Sequence, residues 1–188
     1  MDLYTMLLTG LAVNAASLAL VGLIGVLNSD TTFRSISFWT MGSLNQATWL
    51  DVGVAMLILP CAILLLLRAR MLDGMVLPEA EAMSLGIAVK ETRRQVIVLV
   101  AAITGIAVSL TGVIAFVGLI VPHMVRLLVG ASHKTLLPCA IFLGAILMVL
   151  ADLLSRILIA PMEIPVGIIT ALLGAPIFVL LLRAQVLE

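Results

Sequence analysis

The sequence predicts an all-α fold, a polytopic membrane helix bundle with about six transmembrane helices. Of the 188 residues, 63% are hydrophobic and only 11% are charged, with a mean hydropathy of +1.32, whereas a soluble domain carries about 25% charged residues. A compact globule of this size cannot bury so many apolar side chains. A soluble domain, a disordered chain and a nucleic-acid binder are therefore excluded. Aromatic residues make up only 4%, which disfavours a β-barrel with aromatic girdles.

Uncharged apolar runs mark the membrane helices, since about 20 residues are needed to span the hydrocarbon core. These runs cover residues 3–27, 50 or 52 to 67, 95–125, 136–151 and 164–182, and the fourth continues through Asp152 to about residue 159. The first run lacks a basic leader region and a small-residue cleavage site, so it is interpreted as a spanning helix rather than a signal peptide. Polar stretches separate the runs, and the stretch from 68 to 94 carries the most charge.

The run from 95 to 125 is too long for one crossing, because about 30 residues at 1.5 Å each make roughly 45 Å. Basic residues favour the cytoplasmic side. If the run folds back near Gly112, only Arg34 and Arg156 of the 10 basic residues lie outside, whereas one continuous helix gives a split of 6 to 4. We therefore expect two helices, at about 95–111 and 113–130, with six crossings and both termini in the cytoplasm.

Residues 77–86 have the pattern of a short cytoplasmic helix. Pro78 stands at the start, Glu79 and Glu81 fall in the first turn, and Gly86 follows the helix formers, an order typical of helix starts and stops. The segment also has an apolar side, formed by Leu77, Met83, Leu85 and Ile87. Such a helix suggests docking against a soluble partner; the alternative is a helix folded on the protein's own loops.

Two basic residues on the outer side, Arg34 and Arg156, oppose the general preference for the inside. Pairing with acidic groups of an external partner is one explanation for them. Pairing with the local carboxylates Asp30 and Asp152 is the other.

Motifs for hydrolytic chemistry are absent from the sequence. It contains no G-x-x-x-x-G-K-[ST] nucleotide cradle, no H-E-x-x-H and no G-x-S-x-G. Cys61 and Cys139 lie in apolar runs without ligand spacing and are expected to be small buried hydrophobes. Asp152, the best candidate for an aspartyl dyad, has Arg156 four residues later on the same helix face. We expect a protein that is not an enzyme and holds no metal.

His123 and Arg126 share one face of the predicted 113–130 helix. Ionisable groups inside membranes are functional candidates, so a metal or proton role is one interpretation. The structural alternative has Arg126 snorkelling at the cytoplasmic end, with His123 capping a helix or hydrogen-bonding to a neighbour.

Several motifs resemble those of the FecCD family, the ABC importer permeases for iron–siderophore, haem and cobalamin uptake. Residues 112–126, GVIAFVGLIVPHMVR, resemble its G-x-I-x-F-V-G-L-x-x-P-H-x-x-R signature. Residues 163–178, EIPVGIITALLGAPIF, resemble its closing motif E-x-P-V-G-x-x-T-A-x-x-G-x-P-x-F. Segments 133–138, 151–156 and 39–44, the last as W-x-x-G-S, are also similar. Helix turns and packing are expected at Gly112, Gly118, Pro122, Gly167, Gly174 and Pro176.

The resemblance implies partners on both sides of a bacterial inner membrane. A second permease copy would complete the translocation path, two ATPase subunits would bind in the cytosol, and a periplasmic or lipid-anchored substrate-binding protein would dock outside. ATP and magnesium would belong to the ATPase, with no cofactor in this chain. Membrane lipid surrounds such a protein, and no nucleic acid is involved.

Residue roles also follow from the resemblance. Residues 73–91 match the family's cytoplasmic coupling segment, with Pro78 standing where the family usually has Gly. Arg156 is similar to the periplasmic arginine that pairs with a glutamate of the binding protein, and Arg34 is a second docking candidate. The contact residues expected for the ATPase are Leu77, Pro78, Glu79, Glu81, Ala82, Leu85 and Gly86.

Family members usually have ten helices, and this chain matches the C-terminal six. We therefore expect one permease domain over residues 1–188 that lacks the N-terminal helices, as a fragment, a truncated reading frame or a misassigned start. The expected function is the permease subunit of an ATP-driven importer of a ferric chelate, siderophore or haem. The alternatives are an importer of cobalamin or another metal chelate, a truncated scaffold that does not transport, and a free-standing ion channel.

Overall fold

The computed structural model describes residues 3–27, 30–45 and 47–186, which form helices and loops without a strand. The predicted all-α class is confirmed. The chain divides into two compact units, residues 1–40 and 41–188. That the chain forms a single permease domain stays a prediction.

The first unit contains two helices, α1 (Leu3–Leu27) and α2 (Asp30–Thr40). Helix α1 coincides with the first predicted span. It is apolar on every side and has almost no buried residue within the chain, as expected of a helix surrounded by lipid or by other helices. Helix α2 was not predicted, because its 11 residues mix polar and apolar side chains and form no apolar run.

The second unit begins with helices α3 (Trp49–Ala55) and α4 (Ile58–Leu67), which together form the second predicted span. The helix is interrupted between them because Pro60 has no N–H group for the carbonyl of Met56, and its ring crowds that carbonyl. The N–H of Leu59 bonds to the Met56 carbonyl instead, at 3.1 Å. Both helices pack against the helix of the third predicted span.

Two short helices, α5 (Ala69–Gly74) and α6 (Glu79–Ser84), connect α4 to that next helix. The sequence predicts α6 but not α5, which lacks both a proline start and an apolar run. Helix α5 packs against the helix formed by residues 133–157, and α6 packs against the helix formed by residues 89–111.

The predicted division of the long apolar run into two helices at Gly112 is confirmed. Helix α7 (Val89–Thr111) begins six residues before the predicted start at Gln95, because the change from charged to apolar residues marks a membrane surface rather than a helix end. Helix α8 (Val117–Val129) begins four residues later than predicted. Gly112, with φ of +72°, and Phe116, with φ of +67°, have conformations that an α-helix cannot include.

Helices α9 (His133–Ile157) and α10 (Val166–Val186) complete the second unit and pack with α8 as a group of three. Two clusters of buried side chains hold this group together. One consists of Val121, Val125 and Leu136, and the other of Ala151, Val166 and Ile169.

Within the described residues, four helical segments are long and apolar enough to cross a membrane. They are Tyr4–Leu27, Trp49–Leu67, Val89–Thr111 and His133–Ile157. Two shorter apolar helices, Val117–Val129 and Val166–Leu180, match the remaining predicted crossings. The orientation of the six segments across the membrane stays a prediction.

Candidate partner-binding surfaces

The coupling segment, residues 73–91, is built around helix α6. Pro78 precedes this helix with extended backbone, and its carbonyl accepts the Ala82 N–H at 3.0 Å. After the helix, Gly86 has φ of +78°, and the Ile87 N–H donates to the Ala82 carbonyl at 3.1 Å. This ending is a Schellman motif, whose left-handed residue is usually glycine. The proline start and glycine end of the sequence thus fix both ends of α6.

One side of α6 faces the protein and the other side is exposed. Ala82 is fully buried, whereas Leu77, Met83 and Leu85 are 41%, 62% and 66% exposed. These three apolar side chains therefore do not fold onto the protein's own loops, whereas Ile87, the fourth member of the predicted apolar side, is half-buried beside Gly74. Of the other predicted contact residues, Pro78, Glu81 and Gly86 are exposed, and the side chain of Glu79 lies outside the described part. We call Leu77, Glu81, Met83 and Leu85 the α6 surface.

A carboxylate at the end of α5 joins the coupling segment to α9. Asp73 Oδ1 accepts the His133 backbone N–H at 2.7 Å and lies 2.6 Å from His133 Nδ1, while Asp73 Oδ2 accepts the Ser132 hydroxyl at 3.1 Å. These hydrogen bonds, that of the His133 backbone first, hold the pKa of Asp73 below its ordinary range. The sequence did not predict this contact, because its partners are 59 and 60 residues apart.

Arg156 lies at the opposite end of α9, about 35 Å from His133 for a helix rising 1.5 Å per residue. Its Nε donates to Asp152 Oδ2 at 2.9 Å and its Nη2 donates to Asp152 Oδ1 at 3.3 Å, one turn earlier on the helix. The Arg156 side chain is still 44% exposed. The local pairing that the sequence allowed is therefore formed. The backbone of Arg34 belongs to α2, and its side chain lies outside the described residues.

Three segments of the second unit meet at glycines. Gly42, in the W-x-x-G-S motif, has φ of +70°, and a Cβ there would lie 2.6 Å from the Val113 carbonyl oxygen. Its own carbonyl accepts the Gly167 N–H at 3.3 Å. A Cβ on Gly167 would overlap the carbonyl oxygen of Met41. We call Gly42, Val113 and Gly167 the glycine junction. Gly167 was predicted to be a packing residue, whereas Gly42 was not, although the W-x-x-G-S motif that contains it is visible in the sequence.

Gly174 of α10 lies against Phe116, the residue that precedes α8. A Cβ on Gly174 would lie 2.6 Å from Phe116 Cβ and 3.0 Å from Ile120 Cδ1. The Phe116 ring packs on Phe178 with a centroid distance of 6.3 Å. The remaining packing candidates are Pro122 within α8, Pro176 within α10, and Gly118, which is exposed with open space where a Cβ would lie.

Comparison with known proteins identifies the family of the chain that carries these surfaces. The model of the FecCD transport family matches residues 1–184. The chain belongs to this family. The resemblance seen in the glycine-rich and closing motifs is thereby confirmed, and the FecCD chain is a membrane protein of a transport system.

Curated FecCD relatives of the chain carry different cargoes. It is 45% identical to the hemin transport system permease protein HmuU of Yersinia pestis, over 98% of this chain and 55% of the relative. It is 40% identical to the Fe(3+) dicitrate transport system permease protein FecD of Escherichia coli, over 93% and 55%. It is 38% identical to the vitamin B12 import system permease protein BtuC of Vibrio vulnificus, over 94% and 54%. The chain thus spans about half the length of the curated relatives it matches.

A solved structure supports the same fold. It is described as an inward-facing conformation of a metal-chelate type ABC transporter, and it superposes with a TM-score of 0.91 at 37% identity. The superposition covers 97% of the FecCD chain and 60% of the solved chain.

His123 and Arg126 do not form a polar pair in this FecCD chain. His123 is half-buried and Arg126 is exposed, and the side chain of neither forms a hydrogen bond or ion pair with a described residue. No cluster of three or more metal-ligating side chains occurs within the described ranges. The roles of both residues, and the expectation of no metal in the chain, stay predictions.

Proposed function

We propose that this chain acts in the permease subunit of an ATP-driven importer that moves a ferric chelate, a siderophore complex or haem, across the bacterial inner membrane. Membership of the FecCD transport family supports a transport role. One observation about the chain itself carries the proposal. Each end of helix α9 carries a docking candidate. The coupling segment contacts the first residue of the helix, His133, and the exposed Arg156 lies beside the last residue, Ile157.

The α6 surface is proposed as the contact with the ATPase. Leu77, Met83 and Leu85 remain exposed in a segment that cannot lie in lipid, because Lys90 and three neighbouring charges border it. Exposed apolar side chains on a short helix suit a groove on a soluble partner. The ATPase would hold ATP and magnesium and would hydrolyse the nucleotide, and this chain would contribute no cofactor and no catalytic residue.

Arg156 is proposed as a contact for the binding protein. Asp152 holds two of its guanidinium nitrogens at 2.9 and 3.3 Å and so fixes the direction of the side chain. The N–H groups of this exposed side chain that Asp152 does not use can then donate to a carboxylate of the partner, and such planar pairing is a property of arginine. Arg34 is proposed as a second contact on the same side, from its sequence position alone.

The proposed orientation places both termini in the cytoplasm, with the coupling segment inside and Arg156 outside. The positive-inside distribution of the 10 basic residues supports this arrangement. A second copy of the permease is proposed as the partner that completes the translocation path.

The ferric chelate is preferred as the cargo because the haem relative is 45% identical, compared with 36–41% for the vitamin B12 and cobalamin relatives. Import of cobalamin is the second candidate, because vitamin B12 permeases from several Vibrio species also match more than nine-tenths of the chain.

Two reciprocal variants test the docking assignments, each serving as the control for the other. Leu85→Ser should lower capture of the system's ATPase about fivefold or more, as expected for a buried apolar contact worth at least 1 kcal/mol, and should leave binding-protein affinity unchanged. Arg156→Glu should weaken the binding protein, most strongly at low salt, and should leave ATPase capture unchanged. Unchanged capture with Leu85→Ser would refute the α6 assignment. Unchanged affinity with Arg156→Glu would make Arg156 only the partner of Asp152.

Transport itself is tested in proteoliposomes that contain the permease, its ATPase and its binding protein. The proposal predicts ATP-dependent uptake of haemin or ferric dicitrate, and cyanocobalamin uptake alone would favour the second candidate. An assembled complex that takes up none of the three would indicate a scaffold, and current without ATP in a planar bilayer would indicate a channel.

A further inference from the structure

Asp73 is placed where the coupling segment meets a membrane helix. It is the next-to-last residue of α5, immediately before Gly74, and its two carboxylate oxygens contact Ser132 and His133 at 2.6–3.1 Å. Among the hydrogen bonds found in the described residues, these connect the coupling segment directly to the first turn of α9.

The local chemistry of α9 explains why a carboxylate belongs there. The first N–H groups of any helix lack partners within the helix, and a negative charge near them is favourable. Ser132 occupies the capping position but makes no side-chain bond to the N–H groups of α9. Its hydroxyl donates to Asp73 instead, and Asp73 accepts the His133 N–H. Asp73 therefore caps α9 from a distant part of the chain.

The remainder of the coupling segment is packed against this cap. A Cβ on Gly74 would overlap Ile87 Cδ1, so the end of α5 touches the residue that follows α6. The Ile87 N–H in turn bonds to the Ala82 carbonyl in the buried side of α6. Helix α6, the end of α5 and the cap on α9 thus form one contiguous set of contacts.

We propose that Asp73 is a positioning residue for coupling, which fastens the coupling segment to the inner end of α9 so that a displacement of α6 is passed to the end carrying Arg156. This inference rests on the proposed function, because it assigns a route between the two proposed docking surfaces. A helix of 25 residues is long enough that a tilt of about 5° at one end moves the other by roughly 3 Å, for a rise of 1.5 Å per residue.

The test compares Asp73→Ala with Thr135→Ala in the complete complex. Thr135 donates to the Ser132 carbonyl at 3.1 Å, within the same turn of α9, and not to Asp73, so its variant is a matched control. We expect Asp73→Ala to capture the ATPase normally. Its rate of ATP hydrolysis stimulated by the binding protein should be at least about fivefold lower than that of the wild type, because fivefold is the lower end of the range for coupling between distant sites. Thr135→Ala should retain this stimulation.

A spectroscopic measurement on the permease alone separates positioning from loss of folding. A spin label on Met83→Cys, in a background with Cys61 and Cys139 replaced by Ser, reports the mobility of α6 in nanodiscs. Asp73→Ala should increase the mobility of this label, and Thr135→Ala should not. If Asp73→Ala does not fold, Asp73→Asn is read in the same two assays, because it keeps one acceptor oxygen and loses the charge.

The outcomes distinguish the inference from the proposed function. If the wild-type complex shows no stimulation by the binding protein, the proposed function fails. If the wild type is stimulated and the Asp73 variant matches it within twofold, or if the label mobility is unchanged, the positioning role of Asp73 is overturned.

Discussion

Replacing Gly174 with alanine tests the packing of α10 against the start of α8. A Cβ at this position would lie 2.6 Å from Phe116 Cβ and 3.0 Å from Ile120 Cδ1. Phe116 cannot easily retreat, because its φ of +67° already places it in the left-handed region, which costs a residue other than glycine about 1–2 kcal/mol.

The expected cost is the balance of two opposing effects. Alanine is favoured over glycine within a helix by up to about 1 kcal/mol, whereas overpacking a tight contact costs about 1–3 kcal/mol. The overlap should prevail and lower the free energy of unfolding by about 1–2 kcal/mol. For a chain of this size that corresponds to a melting temperature lower by roughly 2–8 °C.

A thiol-reactive dye in detergent micelles measures this change without an added label. Cys61 and Cys139 are free and half-buried, and Cys139 packs against the cluster of Val121 and its neighbours, so both thiols become reactive when the helices separate. Gly144→Ala in α9 is the matched control, because its Cβ would lie 3.8 Å from Val121 Cγ1, an ordinary contact. This control should melt at or slightly above the wild-type temperature.

A second variant identifies the atom responsible. Because the overlap is with a Cβ, Phe116→Gly should relieve it, so Gly174→Ala should cost less in that background than in the wild type, a coupling that a double-mutant cycle measures. A Gly174→Ala protein that melts at or above the wild-type temperature, or an equal cost in both backgrounds, would refute the packing argument.

Three further predictions concern the coupling segment and the glycine junction. The contacts of Asp73 lower its pKa in the folded protein, so they stabilise the fold at any pH above the pKa of about 4 that Asp73 has in the unfolded chain. This stabilisation is lost as the pH falls through the lowered pKa of the folded protein. The difference in melting temperature between wild type and Asp73→Asn should therefore narrow from pH 5 to pH 3, and a constant difference would contradict this. Gly86→Ala, at φ of +78°, should cost about 1–2 kcal/mol and reduce ATPase capture more than Gly86→Asn does. Gly42→Ala combines a positive φ with a 2.6 Å approach to the Val113 carbonyl and should destabilise more than Gly174→Ala in the same dye assay.

Most of the membrane helices could be predicted from the sequence, because a bilayer forces apolar runs into helices. Helix α1 has the predicted bounds, and the division of the long run into two helices begins at the predicted residue, Gly112. The helix starts were less accurate. Charge marks where the chain leaves the apolar region, and α7 continues through that boundary as far as Val89. The late start of α8 depends on the unusual φ of Phe116, which no residue preference indicates.

The parts of the candidate site that depend on residues close together in the sequence were predicted. The parts that depend on contacts between residues far apart in the sequence were missed. Pro78 and Gly86 are adjacent to α6 and fix its ends, so the short helix was visible in the sequence. Asp73 is an ordinary surface carboxylate by sequence, and only the packing of α5 on α9 brings it to His133. Gly42 likewise has no local sign that its neighbour is Val113.

The short length of α8 has a consequence for the surroundings of the protein. Its 13 residues cover about 20 Å at 1.5 Å each, short of a hydrocarbon core about 30 Å thick. The non-helical residues 112–115 must make up the difference, at up to about 3.3 Å each. Exposed peptide groups at that depth are not tolerated in contact with acyl chains. The Gly42 loop covers part of this stretch, and the rest must face other protein or water. Solvent-accessibility labelling of residues 113–115 should therefore show an aqueous or protein-lined environment where a simple helix bundle would be in contact with lipid.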